Sequence, residues 1–289
     1  MEKTLKRYFL IFTLPTVIAF AFAFLIPFVQ GVYLSFCKFT TVSNATWTGL
    51  ANYKAAFSGG QGFMNALGFT ASFTVVSVVT INLLAFTIAL LLTRKIKGTN
   101  IFRTVFFMPN LIGGIVLGYI WQFVFSRVFV NIGESTGWKL FEVSWLSDPT
   151  NAFIALVVVS VWQLSGYMIL IYVAGFMGLS EDVMEAASID GASGFVKLKN
   201  IIMPLMMSSI TICLFLTLSR AFMVYDVNLS LTAGAPYGTT EMAAMHVYEK
   251  AFTSRQFGVG QAEALILFII VAVISGLQVY LTKKQEVEA

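Results

Sequence analysis

The chain has 289 residues, of which 58% are hydrophobic and only 11% charged, and its mean hydropathy is +0.83. Soluble domains carry about a quarter of their residues as Asp, Glu, Lys and Arg, so a water-surrounded globule is excluded. The net charge of +4 is small, and most basic residues stand in short segments between apolar runs, which argues against nucleic-acid binding.

Six apolar runs are long enough to cross a bilayer, because a span takes about 20 helical residues. Each is predicted to be a helix, since an isolated strand would leave its backbone polar groups unsatisfied in lipid. The predicted spans are 9–32, 66–92, 105–125, 153–176, 202–224 and 264–281. We therefore expect an all-α polytopic membrane protein forming a single transmembrane domain over residues 1–289.

Lysine and arginine are divided unevenly between the two sides of the predicted spans. Eleven lie on the side that holds both termini and the segment between the fourth and fifth spans, and six lie on the other side. Basic residues accumulate in cytoplasmic loops. Both termini are therefore predicted to be cytoplasmic.

The segment 178–200, between the fourth and fifth spans, is the one long connection on the cytoplasmic side. Ser180 is a good N-cap, and Glu181 and Asp182 suit the positive end of a helix dipole. Gly191 can end that helix with a positive φ. The pattern predicts a short amphipathic helix beside the membrane, followed by a second helical stretch over Phe195–Ile202.

The same segment resembles a known motif. Glu185-Ala186-Ala187, then Gly191, Ile201 and Met203-Pro204, follow the spacing of the EAA motif of ABC-importer permeases, with Met203 where leucine is usual. The resemblance implies a type I ABC-importer permease fold, in which this segment is the coupling helix that docks on the ATP-hydrolysing subunit. It implies coupling roles for Glu185, Ala186, Ala187, Asp190, Gly191 and Pro204.

Other segments are similar to the carbohydrate branch of that family, typified by maltose and glycerol-phosphate permeases. They are Trp47–Tyr53, Phe102–Thr104 with Pro109 and Trp121, Trp145–Pro149, Leu231–Pro236, Tyr248–Phe252 and Phe257-Gly258. The resemblance implies a bacterial or archaeal cytoplasmic membrane and a carbohydrate solute. It also implies three kinds of partner: a second homologous permease, two ATPase subunits and an extracytoplasmic solute-binding protein.

One segment, Phe57–Gln61, imitates the signature of ABC ATPases. However, the sequence contains no G-x-x-x-x-G-K-[ST] phosphate loop. We expect no cofactor and no enzymatic activity in this chain, with Mg-ATP held by the partner ATPase. His246 has no second His or Cys nearby in sequence, so no metal site is predicted.

Several polar side chains stand inside or beside the fourth and fifth spans, where they are costly unless they face a cavity or a partner. Aromatic rings can stack on a sugar while amides and hydroxyls bond its rim. On this basis Gln163, Tyr167, Arg220, Tyr225 and Asp226 are candidates for a substrate pathway. The family resemblance also implies pore-lining positions here, at Tyr167, Tyr225, Asp226 and Asn228, and the predicted pathway comprises all six residues. Helix–helix hydrogen bonding or interfacial anchoring is the alternative, and for Arg220 the alternatives include snorkelling to water or pairing with Asp226.

The resemblance implies import of a sugar or oligosaccharide by alternating access. A non-sugar solute, such as glycerol phosphate, a polyamine or an amino acid, is the alternative cargo. An ion-driven secondary transporter, which would need no ATPase partner, is the alternative mechanism.

Overall fold

A computed structural model describes residues 2–58, 62–94 and 98–286. Some residues used in the sequence analysis lie outside the described ones. They are Gly59–Gln61 of the ATPase-like segment, and Lys95 and Lys97 of the charge count. The described chain is predominantly helical, which confirms the all-α prediction. One small hairpin, β1 (Cys37–Lys38) paired antiparallel with β2 (Thr46–Trp47), interrupts the helices.

The helices follow one another along the whole described chain. They are α1 (Glu2–Phe20), α2 (Ile26–Leu34), α3 (Ala51–Phe57), α4 (Phe63–Leu92), α5 (Thr99–Phe107), α6 (Gly114–Phe123), α7 (Phe129–Thr136), α8 (Pro149–Met177), α9 (Glu181–Ile189), α10 (Gly194–Lys197), α11 (Met203–Leu205), α12 (Met207–Phe222), α13 (Asp226–Leu231), α14 (Ala243–Tyr248) and α15 (Phe257–Lys283). Short π or 3-10 turns join several of them.

Five helical stretches are long and apolar enough to cross a membrane. They are Phe12–Ser35, Phe63–Leu92, Gly114–Thr136, Pro149–Met177 and Phe257–Lys283. A sixth crossing is formed if Gly194–Leu205 and Met207–Phe222, which meet at a bend of 73°, are counted together. By length and composition, the described chain thus has five helices able to cross a membrane, or six with the bent pair.

The predicted and observed spans differ at their ends by up to several residues, and the third and fifth are also broken near a proline. The third was predicted at 105–125, but a 3-10 turn around Pro109 interrupts the helix, which resumes at Gly114. The fifth was predicted at 202–224, but the chain breaks at Met206, two residues after Pro204, and α12 begins at Met207. Proline donates no backbone hydrogen bond and crowds the carbonyl four residues earlier, which accounts for the end of α5 just before Pro109. Pro204 lies in the first turn of α11, where proline is tolerated, and the backbone leaves helical geometry at Met206 (φ −90°, ψ 4°).

The described chain divides into two compact units. Unit 1 comprises residues 1–64 and 247–268, and unit 2 comprises residues 65–246 and 269–289. In unit 1, Asn52 of α3 donates hydrogen bonds to the carbonyl oxygens of Ser35 (2.8 Å) and Cys37 (2.9 Å). This buried amide fastens the β1–β2 hairpin to α3.

The core of unit 2 is built around α8, whose side chains are buried along most of its length. Gly166 lets α5 approach closely, because a Cβ atom there would lie 2.0 Å from the carbonyl oxygen of Phe106. Leu156, Met168 and Ile169 of α8 are almost fully buried and belong to this core.

A single amide joins three helices of unit 2. Asn82 of α4 donates to the hydroxyl of Thr217 on α12 (2.9 Å), and its Oδ1 accepts from the hydroxyl of Tyr172 on α8 (2.7 Å). Tyr172 and Thr217 are almost fully buried. The Thr217 hydroxyl also donates to the Cys213 carbonyl of its own helix (2.8 Å). Water is scarce inside a bilayer, so the bond from Asn82 gives the buried Tyr172 hydroxyl its acceptor.

Replacing Asn82 with alanine should therefore destabilise unit 2, because it removes the acceptor of the buried Tyr172 hydroxyl and the interhelical bond to Thr217. We expect a loss of about 1–2 kcal/mol, measured as unfolding free energy in detergent micelles. Thr80→Ala is the control, because Thr80 is exposed and bonds only its own helix, at Val76 (2.7 Å). An equal loss in both variants would contradict the role given to Asn82.

Candidate functional site

A polar cavity of about 260 Å³ lies in unit 2 where α6, α8, α12 and α13 meet. It is lined by Gly114, Ser160, Gln163, Leu164, Arg220, Met223, Val224, Tyr225, Asp226 and Val227. Four of the six residues predicted to form a substrate pathway are brought together here, although they come from separate helices.

Arg220 lies at the centre of the polar contacts around this cavity. It is exposed, donates to Oδ1 of Asn110 (3.3 Å), and places its guanidinium carbon 5.1 Å from the ring centroid of Tyr167. In the part of the chain that the structure describes, it forms no ion pair with Asp226. The guanidinium is held by an amide and an aromatic face, and it keeps donors available to the cavity.

Asp226 reaches the cavity because α6 and α13 pack very closely. A Cβ atom at Gly114 would lie 2.7 Å from Cβ of Asp226, and one at Gly118 would lie 1.9 Å from Oγ of Ser230. The Ser230 hydroxyl donates to the Asp226 carbonyl of its own helix (2.7 Å), and its oxygen lies 3.3 Å from the Gly114 carbonyl oxygen. Gly114 and Gly118 are spaced as in a GxxxG motif, and this signal could have identified the contact from the sequence.

Gln163 meets the interruption between α5 and α6. Its Nε2 donates to the carbonyl oxygen of Ile112 (3.2 Å), which lies between the turn at Pro109 and the start of α6. Tyr225, half-buried, directly precedes α13. Non-helical backbone inside a membrane protein is tolerated where it lines a cavity and finds partners, as it does here.

Two of the six candidates do not line the cavity: Tyr167, which contacts Arg220, and Asn228. Asn228 is fully buried, and its amide donates to Thr232 Oγ1 (2.9 Å) and to the Thr240 carbonyl (2.8 Å), while its oxygen accepts from the Met242 amide (3.0 Å). It fastens the segment that follows α13.

The second candidate site is the segment between α8 and α12. Helix α9 covers Glu181–Ile189 and ends before Gly191, whose φ of +75° is the conformation expected of a glycine stop. The Ala192 amide donates back to the Ala187 carbonyl (3.0 Å) and closes the helix end. Ser180 occupies the N-cap position, although its side chain makes no capping bond.

The predicted coupling residues do not all face solvent. Glu185, Ala186 and Asp190 are exposed, whereas Ala187 is only 6% exposed. Pro204 is half-buried in α11, just before the bend. It is therefore not part of the exposed face of α9.

Lys197, which the sequence reasoning did not select, braces α9 against α10. Its Nζ donates to the Met184 carbonyl and to Oγ of Ser188 (2.8 Å). Both acceptors lie on α9, while Lys197 closes α10. The two short helices therefore form one braced hairpin, called here the α9–α10 hairpin. Lys197 and Met184 are thirteen residues apart and lie on different helices, so no helical periodicity in the sequence indicates their contact.

His246 forms a local pair, with Nδ1 2.9 Å from Oε1 of Glu241. In the described ranges, no group of three or more His, Cys, Asp or Glu side chains is placed to bind a metal ion.

Apolar helices of membrane-spanning length, a polar cavity among broken helices and an exposed helical hairpin define a transport permease. The pattern of the family described as the inner membrane component of binding-protein-dependent transport systems matches residues 85–287. The chain belongs to this family and is a multi-pass membrane protein, which confirms the family resemblance seen in the sequence.

Relatives with described roles match almost the whole chain. It is 43% identical over 280 residues to AmyD of Thermoanaerobacterium thermosulfurigenes, a probable starch degradation products transport system permease, covering 96% of this chain and 94% of the relative. It is 34% identical to MsmF of Streptococcus mutans, a multiple sugar-binding transport system permease, covering 99% of each.

The fold matches a chain in a solved structure of a bacterial ABC transporter that imports the acidic polysaccharide alginate. The TM-score is 0.82 at 18% identity, and the match covers 98% of each chain. The same fold recurs in the alginate transporter complexed with a pentasaccharide-bound periplasmic protein, with a TM-score of 0.81, 18% identity, and 98% and 97% of the two chains covered. These likenesses confirm the ABC-importer permease fold.

Replacing Lys197 with methionine should loosen the α9–α10 hairpin, because two hydrogen bonds to α9 are lost. We expect amide hydrogen exchange across Glu181–Ile189 to become about tenfold faster. Lys199→Met is the control, since Lys199 is exposed on the same segment. Unchanged exchange in Lys197→Met would show that α9 is ordered without the brace.

Proposed function

We propose that this chain is the permease subunit of an ATP-driven importer whose solute is a sugar or oligosaccharide. The observation that carries the proposal is the polar cavity, which gathers Gln163, Arg220, Tyr225 and Asp226 inside a permease fold. The named roles of AmyD and MsmF support a carbohydrate solute.

The chemistry of the cavity suits a sugar. A guanidinium and an amide can donate to hydroxyl oxygens, a carboxylate can accept from hydroxyl protons, and the Tyr225 ring can cover the apolar face of a pyranose. Arg220 brings a positive charge and Asp226 a negative one to the same cavity, so their formal charges cancel. We propose that Tyr167 and Asn110 position Arg220, and that Asn228 acts by shaping the neighbouring segment.

The energy for transport is proposed to come from separate chains. The sequence lacks a phosphate-binding loop, so Mg-ATP is assigned to two ATPase subunits. A second homologous permease would complete the pore, and an extracytoplasmic binding protein would deliver the solute. The charge count supports a cytoplasmic position for residues 178–200 and for both termini.

The α9–α10 hairpin is proposed to be the contact with the ATPase. Glu185, Ala186 and Asp190 offer an exposed surface, and the Gly191 stop and the Lys197 brace make the hairpin stiff enough to transmit displacement. Ala187 supports this surface from inside the chain. In this scheme ATP-driven closure of the ATPase pair moves the hairpins and switches the cavity between the two sides of the membrane.

Reversing the charge of Glu185 should weaken the ATPase contact. We expect Glu185→Lys to reduce co-purification of the ATPase subunit about tenfold, because an exposed carboxylate is replaced by a cation at the proposed interface. Glu142→Lys is the control, as Glu142 is an exposed glutamate on a segment predicted to face outward. If Glu185→Lys co-purified with as much ATPase subunit as the wild type, this interface would be contradicted. If the wild-type chain transported solute without any ATPase, an ion-driven carrier would be favoured.

Removing the guanidinium of the cavity should impair transport without unfolding the protein. Arg220 is exposed and forms no ion pair among the described residues, so we expect Arg220→Gln to keep its melting temperature while uptake of labelled oligosaccharide falls at least tenfold. Arg127→Gln, at an exposed arginine outside the cavity, should transport normally.

Uptake is measured in proteoliposomes with purified binding protein. Normal uptake by Arg220→Gln would remove Arg220 from the pathway. Efficient uptake of glycerol phosphate or an amino acid instead of a sugar would replace the proposed solute class.

A further inference from the structure

A second and larger cavity, of about 490 Å³, lies wholly within unit 1, and the transport pathway proposed above does not use it. Two chain segments form its walls: the β1–β2 hairpin with α3, and the residues that lead into α15. Its mouth is polar and open, since Lys38, Thr40, Asn44, Arg255 and Gln256 are all exposed.

The cavity is cationic. Lys38 comes from one wall and Arg255 from the other, and none of the described residues that line it is acidic. The sequence explains why, because residues 3–133 and 250–262 contain neither Asp nor Glu. The first turn of α15 also borders the cavity, and the backbone N–H groups of a helix start add positive potential there. An anionic group is the ligand that this set of charges would favour.

The walls hold the two cations in a fixed frame. Asn52 is fastened to the carbonyls of Ser35 and Cys37, and Gly258 packs so closely that a Cβ atom there would lie 2.3 Å from the Cys37 oxygen. Rigid walls reduce the ordering cost of binding.

Arg255 itself has a φ of +54°, a left-handed conformation that residues other than glycine rarely adopt. Such a backbone persists only where its surroundings enforce it, and in this case it presents an arginine at the mouth of the cavity.

We propose that this cavity receives an acidic side chain of the extracytoplasmic solute-binding protein. The inference rests on the proposed function, because the charge count places both wall segments on the outer side. The family is binding-protein-dependent, so a protein must dock on that side, and the open cationic mouth fits a carboxylate that arrives from outside.

The test uses the complete transporter in lipid nanodiscs and its own binding protein, with the dissociation constant measured at low and at high salt. Lys38→Gln should raise that constant about tenfold at low salt, where long-range attraction is least screened, and should reduce its salt dependence. Lys54→Gln is the matched control, because Lys54 is an exposed lysine of the same wall segment that does not line the cavity.

A second variant separates charge from backbone strain. Arg255→Gly removes the guanidinium while favouring a positive φ, so the fold of this segment is retained and affinity should fall as in Lys38→Gln. Pairing substitutions on the two proteins provides the strongest support. If one surface Asp or Glu of the binding protein enters the cavity, neutralising it should weaken binding to the wild-type transporter, and adding Lys38→Gln should weaken it no further.

The outcomes are distinguishable. Unchanged affinity in both Lys38→Gln and Arg255→Gly, with a wild-type complex whose ATPase is stimulated by binding protein, overturns the docking cavity but leaves the proposed function intact. Altered uptake of a free anionic sugar with unchanged affinity for the binding protein would also overturn it. Failure of wild-type binding protein to stimulate the ATPase would instead overturn the proposed function.

Discussion

The Asn82 amide holds together the three helices on which the rest of unit 2 is built. In lipid, apolar side chains gain little from packing on one another rather than on acyl chains, so helix association depends on hydrogen bonds and close contacts. Asn82 reaches Tyr172 and Thr217, and so ties α4 to α8 and α12. Both α8 and α12 also carry residues that line the cavity, so the tie connects the helices that form it.

Interrupted helices leave backbone carbonyl and amide groups available to side chains. In a continuous helix the same groups would be hydrogen-bonded to one another. The turn at Pro109 frees the Ile112 carbonyl for Gln163, and Asn110 in the same turn positions Arg220. The glycines of α6 then bring α13 close enough to add Asp226. Backbone irregularity, small residues and a few polar side chains together convert an apolar bundle into a site with a defined shape.

The surface proposed to meet the ATPase is continuous in sequence with the helix that carries Arg220. Lys197 braces α9 against α10, and the stretch that ends in α11 meets α12 at a bend of 73°. Displacement of the α9–α10 hairpin would therefore reach the cavity through α12. The cavity of unit 2 is lined by opposite charges and the pocket of unit 1 by cations alone, which is why we propose a sugar for the first and a protein carboxylate for the second.

Composition and periodicity determined that this chain is helical and membrane-spanning, because long apolar runs satisfy their backbone in lipid only as helices. The spacing from Glu185 to Pro204 determined the family, and Gly191 determined where α9 ends. The helix breaks near Pro109 and after Pro204 were not predicted. Hydropathy measures how apolar a segment is and does not report where its backbone hydrogen bonds are interrupted. The tertiary structure alone decided that Gln163, Arg220 and Asp226 share a cavity, that Ala187 and Asn228 turn inward, and that Lys38 faces Arg255 across a pocket. Those pairings join residues far apart in sequence, and the direction in which each side chain points is set by neighbouring helices rather than by its own segment.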